Sequence, residues 1–207
     1  MNKLVKYTLS LVGLGLVGYN SVYVKKLDDV KAAGIAGNSK FDAGRYAQTF
    51  WTTKLVPTAP TAATDLALLL PLLKTDKEKA FTTYSQGLGI GNIRYFLVRG
   101  EGRVTGVGEN DVMVSLPTGE TVHLATEYIF GNAARDASGL IRITEFETTT
   151  DLNNVSEQLN DIIRKQVIPS LKTMAKPGNR LRFVGAMELN RAHTHLDSLT
   201  LIPLAVH

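Results

Sequence analysis

The chain has 207 residues, 44% hydrophobic and 20% charged, which is enough apolar material for a packed core and far from the profile of a disordered segment. It contains no cysteine, which excludes disulfides, thiolate metal sites and lipid attachment at a signal-peptide cysteine. The formal net charge of +4 is modest, Lys3, Lys6, Lys25 and Lys26 sit together at the start, and no basic run follows, so no nucleic-acid partner is expected.

Lys3 and Lys6 precede the apolar run Leu9 to Val17, and Lys25 and Lys26 close it. A positive start followed by a short apolar core is an export signal. Tyr19 to Val24 offers no Ala-x-Ala-like pair for cleavage, so residues 1–26 are expected to remain as a signal anchor or transmembrane segment. Tyr7 to Val24 can span a bilayer with Tyr19 and Tyr23 at the interface and Lys25 and Lys26 snorkelling. The expected location is the bacterial inner membrane, with the bulk of the chain facing the periplasm. Lys3 and Lys6 argue for an inside amino terminus, but Lys25, Lys26 and Lys31 follow closely, so the charge count alone leaves orientation open. The competing reading of this segment is a buried amphipathic helix. Residues 27–38 read as a linker.

Residues 39–86 read as a small helical subdomain. Ser39 with Asp42 resembles a capping box, and Ala43, Tyr46, Ala47, Phe50, Trp51 and Leu55 keep the spacing of one helix face until Pro57, which is expected to end it. Trp51, the single tryptophan, belongs to that apolar stripe, which favours core packing over an exposed stacking role. After a Pro57 to Pro60 loop, Thr61 or Thr64 is expected to cap a leucine-rich helix that Pro71 bends or breaks, and a third helix starts at Asp76.

Gly87, Gly89 and Gly91 mark the passage from helix to sheet, without the Lys-Ser/Thr that a phosphate loop needs. Beyond them, Tyr95 to Val98, Arg103 to Val107, Val112 to Leu116 and Thr121 to Ala125 read as a meander of short strands. A helix capped by Asn154 and Glu157 and running to Pro169 interrupts it, with Val155, Leu159, Ile162, Ile163 and Val167 on one face. Leu181 to Leu189 and Leu196 to Val206 complete the sheet around a polar turn, with Gly185 a bulge or barrel bend. The fold class expected is α+β: a membrane anchor, the helical subdomain, and at 87–207 a partly open barrel of the oligonucleotide/oligosaccharide-binding (OB) type with one inserted helix.

Several stretches carry a family resemblance: Tyr19 to Leu27, Phe41 to Pro57 with Trp51 and Lys54-Leu55-Val56-Pro57, Tyr95 to Gly102, Phe130 to Leu140, and Gly185 to Asn190. With these the chain resembles, over nearly its whole length, domain of unknown function family 2291, a family of predicted periplasmic lipoproteins. The most specific part is Gly131 to Asp136. The resemblance implies a helical subdomain followed by a barrel-type subdomain, and an occurrence beside genes of carbohydrate ABC importers. It implies no catalytic residue. The chain departs from the lipoprotein description in having no cysteine, so a peptide anchor stands in place of the lipid.

Asn132, Arg135 and Asp136 are the candidate ligand- or partner-binding residues. They lie in a Gly, Ala and Ser-rich stretch that lets backbone approach a ligand, where Arg135 can clamp an anion and Asp136 or Asn132 can accept sugar hydroxyls. The favoured alternative for Arg135 and Asp136 is an internal ion pair. His193 and His195 share a strand face near Glu188 and Asp197, but without a second ligand cluster a solvated polar turn is the simpler account, so no metal or cofactor is expected. No Gly-x-Ser-x-Gly elbow accompanies the histidines, and Glu145 and Glu147 read as a solvated face. Arg94, Tyr95, Phe96, Arg99 and Arg103 mix bases and aromatics as a nucleic-acid platform does, although a half-buried strand explains the pattern more simply. The expectation is a membrane-anchored periplasmic accessory or binding protein, not an enzyme, with sugar ABC transporter components as partners. The competing readings are a nucleic-acid- or oligosaccharide-binding OB-like module and a hydrolase whose site the sequence does not reveal.

Overall fold

A computed structural model describes residues 41–207 together with Val5 and Tyr7, so the anchor at 1–26, the linker at 27–38 and the cap at Ser39 lie outside the described residues. Among the described residues no helix is long and apolar enough to cross a membrane. Helix α1 (Ala43–Phe50) starts at Asp42, whose carboxylate accepts the Arg45 N–H at 2.9 Å and so satisfies one of the free donors of the first turn. Its apolar face buries Ala47 and Phe50, and Trp51 is buried just beyond it.

The helix does not stop at Pro57. It widens into a π turn (Trp51–Leu55) and continues as α2 (Val56–Ala62), with the proline in the first turn. The Val56 N–H reaches back five residues to the Trp51 carbonyl, and the next residue, which has no N–H, then falls where none is required. Asp65, not Thr61 or Thr64, caps α3 (Leu66–Thr75), which runs unbroken through Pro71. Asp76 caps α4 (Lys77–Tyr84) by accepting from the Lys79 N–H at 3.0 Å.

The sheet is built on one long strand. The short strands β1 (Thr64–Asp65) and β2 (Ser85–Gln86) both pair with β3 (Ile93–Val107). Two separate strands divided at Gly100 to Gly102 were expected here, but the glycines mark close approach, not a turn. A Cβ on Gly102 would stand 2.3 Å from the Ser115 carbonyl oxygen, and one on Gly100 would stand 2.7 Å from the Phe183 ring. Strands β4 (Asp111–Ser115) and β5 (Thr121–Ala125) complete a meander, and β6 (Arg180–Asn190) and β7 (Leu199–Val206) form the final hairpin. Ring closure follows from the pairings. β3 pairs with β4 through its second half and antiparallel with β6 from Ile93 to Arg103, while β5 and β7 run parallel, giving the circuit β3-β4-β5-β7-β6. The register slips between Val184 and Gly185, so Gly185 is the bulge its position suggests.

Between β5 and β6 lie the short helix α5 (Ala133–Asp136), then α6 (Thr149–Ile162), a second π turn (Ile163–Val167) and α7 (Ile168–Met174). The expected caps Asn154 and Glu157 fall inside α6. Thr148 caps it instead, accepting from the Asp151 N–H at 3.1 Å while donating to the Asp151 carboxylate at 2.7 Å. Pro169 ends nothing either, because the Ile168 N–H bonds back to Ile163 across the π turn and the proline opens α7. The expected stripe is buried: Val155, Leu159, Ile162, Ile163 and Val167 pack inward, with Leu152 one turn earlier beside them, each contributing about 1.5–3 kcal/mol by leaving water. Helix α1 packs on α6, and the Phe81 ring of α4 meets Phe96 of β3 edge-on at 5.1 Å.

Candidate functional site

Gly131 and Gly139 bracket the segment singled out in the sequence, and both have positive φ, 81° and 67°, a backbone setting that glycine adopts without a Cβ penalty. Inside it, Arg135 and Asp136 turn to the interior and are each 4% exposed. The Arg135 Nε donates to Asp136 Oδ1 at 2.6 Å, Nη2 donates to Oδ2 at 3.1 Å, and Nη1 donates to the Leu152 carbonyl at 3.3 Å. The guanidinium is thus held within the protein, as the ion-pair reading has it. Asn132 stays nearer the surface. Its Oδ1 accepts from the Ser156 hydroxyl at 3.1 Å, and its side chain is hydrogen-bonded to Tyr95. Burial, followed by the nearby Glu188 and Asp136 carboxylates, raises the Tyr95 pKa, so its phenol remains a neutral donor.

The loop leading into this segment carries what the sequence reading missed. Tyr128 and Phe130 are 64% and 68% exposed, while Ile129 between them is buried. The two rings meet edge-on with centroids 6.5 Å apart. Helix α6 and the π turn after it hold the loop by its oxygens: the Arg164 guanidinium donates to the Ile129 carbonyl, Asn160 Nδ2 to the Gly131 carbonyl at 2.9 Å, and Ser156 to Asn132. The exposed rings therefore stand on an anchored backbone. The alternation of buried and exposed positions in Tyr128-Ile129-Phe130 was the available signal, hidden because all three residues are apolar or aromatic.

Two clefts flank this loop. The first, about 400 Å³, lies between Tyr128 and Phe130 on one side and the β6–β7 hairpin on the other, with Glu188, Asn190, His193, His195, Ser198 and Thr200 among its lining. The hairpin tip is ordered by Asn190, whose Oδ1 accepts from the Ala192 and His193 N–H groups and whose carbonyl accepts from Thr194. His193, His195 and Glu188 thus reach one cleft, but among the described residues no three His, Asp or Glu side chains form a metal-ligand set. The second cleft, about 370 Å³, is bounded by Phe130, Asn132, Asn153, Ser156, Glu157, Asn160 and Arg164. A third hollow holds Arg99 and Arg182, whose charges are matched by Asp65 at 3.8 Å and Glu101 at 3.0 Å.

The remaining sequence candidates serve structure. Phe96 and Val98 are fully buried on β3, and Arg103 donates to the Gly178 carbonyl. Glu145 accepts from the Tyr46 hydroxyl at 2.7 Å and from the Arg142 N–H at 3.0 Å. On the outer side of β4 and β5, His123 Nδ1 lies 2.9 Å from Asp111 Oδ2.

The fold is similar to that of an OB-fold protein from Thermotoga maritima, whose crystal structure matches with a TM-score of 0.74 at 23% sequence identity, covering 82% of this chain and 99% of that one. At this identity the likeness is one of fold. No curated protein matches the chain. The family model described as "Predicted periplasmic lipoprotein (DUF2291)" matches residues 12–207, nearly the whole chain, and the chain belongs to that family.

Proposed function

We propose that this protein is a non-enzymatic, membrane-anchored binding or accessory protein facing the periplasm, and that its first cleft takes a neutral, hydroxylated ligand, a carbohydrate, in the service of a carbohydrate importer. The observation that carries the reading is the exposed Tyr128 and Phe130 pair standing over a polar lining of Glu188, Asn190, His193 and Thr200. Aromatic faces receive the C–H side of a sugar ring, and carboxylate, amide and imidazole groups receive its hydroxyls. Among the described residues no Lys or Arg lines this cleft, which favours an uncharged ligand over a phosphate or a carboxylate. The family description supports the periplasmic setting. The outer surface of β4 and β5, where barrels of this type hold oligonucleotides, presents Asp111, Met113 and a His123 already paired with Asp111, and neither strand carries Phe, Tyr or Trp, which argues against the nucleic-acid reading.

The test is calorimetric titration of the detergent-solubilised full chain against a panel of neutral sugars, with Phe130→Ala alongside. Saturable binding that the variant loses while keeping its melting temperature is the expected result. A panel without any binder overturns the carbohydrate reading. The importer is tested by co-purification in mild detergent, where failure to recover transporter subunits with intact tagged protein counts against it. The anchor predicts retention in membranes after a high-salt wash, and release by that wash refutes it.

A further inference from the structure

Phe130 lines both clefts. Phe130 is 68% exposed, and the backbone on either side of it is held by the bonds from Arg164 to Ile129 and from Asn160 to Gly131, with Ser156 bonded to Asn132. A ligand confined to the first cleft would use one side of Phe130 and leave the other to water. The second cleft is equipped for hydroxyl groups as well. Asn153, Ser156, Glu157 and Asn160 stand at helical intervals of three and four along α6 and form one polar stripe, whose seven-residue span rises on the order of 10 Å.

A second, independent observation sits in this stripe. Asn160 is 3% exposed, its Nδ2 is bonded to the Gly131 carbonyl, and its Oδ1 is a buried acceptor without a hydrogen-bond partner among the described residues. A buried amide oxygen left unpaired carries a desolvation cost that a donor at this position removes. Asn132, selected from the sequence as a ligand residue, belongs to this second cleft and not to the first.

We infer that the ligand is a chain, an oligosaccharide of more than one unit, which lies across Phe130 with one sugar in the first cleft and the next along the Asn153 to Asn160 stripe of α6. The inference rests on the carbohydrate reading of the first cleft and adds length and direction to it. Both clefts are open to solvent at Phe130, so the chain can enter sideways and needs no free end. Glu157 and Asn153 are exposed and point the outer part of the stripe to hydroxyls, while Arg164 is already engaged by the Ile129 carbonyl and by Asp161.

The experiment titrates the full chain with matched neutral mono-, di- and trisaccharides drawn from the binders of the first cleft. Affinity is expected to rise by about tenfold from the first to the longer ligands. The double variant Asn153→Ala with Glu157→Gln, both exposed positions that leave the core untouched, is expected to bring trisaccharide affinity down to that of the monosaccharide. Equal affinity at all lengths, or a length dependence that the double variant retains, overturns the extended site while leaving the first cleft standing. Absence of any sugar binding overturns both readings, and saturable binding of an extended peptide in place of the sugars overturns the ligand class.

Discussion

Arg135 and Asp136, adjacent in the chain, face each other inside the protein in a two-pronged pair, with side chains 5% and 3% exposed. Neighbouring residues on an extended strand point apart, but the single helical turn of α5 brings both inward beneath the loop that carries Phe130. Arg135 also holds the Leu152 carbonyl on α6, so the pair joins α5 to the helix that fixes the loop.

Removing one partner strands the other as a buried charge. Arg135→Ala is expected to lower stability by about 3 kcal/mol, and replacing both residues by apolar ones of similar size is expected to cost less, because no charge is then left unpaired. Urea unfolding of the three proteins decides it. A single variant that unfolds within about 0.5 kcal/mol of the wild type would show that the pair is not buried as described.

Gly102→Ala is expected to destabilise by about 1–3 kcal/mol through overpacking. The added methyl would meet the Ser115 backbone, which cannot swing aside as a side chain tip can. Gly89→Ala is the control, since nothing lies within 4 Å of a Cβ there. Equal melting temperatures for the two variants would contradict the close approach of β3 to β4.

Much of this fold was legible because hydrophobic period and turn residues agree with it. The stripe of α6, the strand Thr121–Ala125 and the bulge at Gly185 all follow from local pattern. Where the structure departs from the sequence pattern, the residues concerned are prolines and glycines put to a less common use. Pro57 and Pro169 are tolerated because each follows a π turn whose backbone pairing no sequence rule marks. Gly100 and Gly102 mark close approaches to other strands, where the information lies in Phe183 of the distant β6 and in Ser115 of the neighbouring β4. The candidate site is only partly legible in the sequence. Asn132 stands out there as a ligand residue and Glu188, His193 and His195 read as a polar turn, while their placement around Tyr128 and Phe130 depends on closure of the β6–β7 hairpin against a loop more than fifty residues earlier.

Glu120 provides an acid-side test. Hydrogen bonds from Lys74, at 2.6 Å, and from Thr118 lower its pKa from the ordinary 4.5 to about 2. A carboxylate depressed in the folded state contributes stability that is present above the unfolded value and lost as pH falls from about 4.5 toward about 2. Because Lys74 is half exposed, the contribution is taken as about 1 kcal/mol. Glu120→Gln is expected to lose that much at neutral pH and to show a shallower acid limb in urea unfolding measured through this window. Parallel acid limbs for the two proteins would refute the assignment.

Tyr46 provides the alkaline counterpart. Its pKa is raised, first by burial and then by the hydrogen bond it donates to Glu145, whose carboxylate disfavours a neighbouring phenolate. Its ring also meets Phe146 edge-on at 5.2 Å, so the same side chain ties α1 to the turn at Ile143–Glu145. A group with a raised folded pKa contributes stability that is fully present below its unfolded value, about 10 for tyrosine, and lost as pH climbs beyond it. Tyr46→Phe keeps the ring contact and removes the hydroxyl, so at neutral pH it is expected to cost about 1 kcal/mol. The quantity to measure is the difference in unfolding free energy between variant and wild type from about pH 8 to pH 11. That difference should shrink toward zero as the wild type loses its proton-dependent contribution. A difference that stays constant across the range would show that the Tyr46 phenol titrates alike in the folded and unfolded chains.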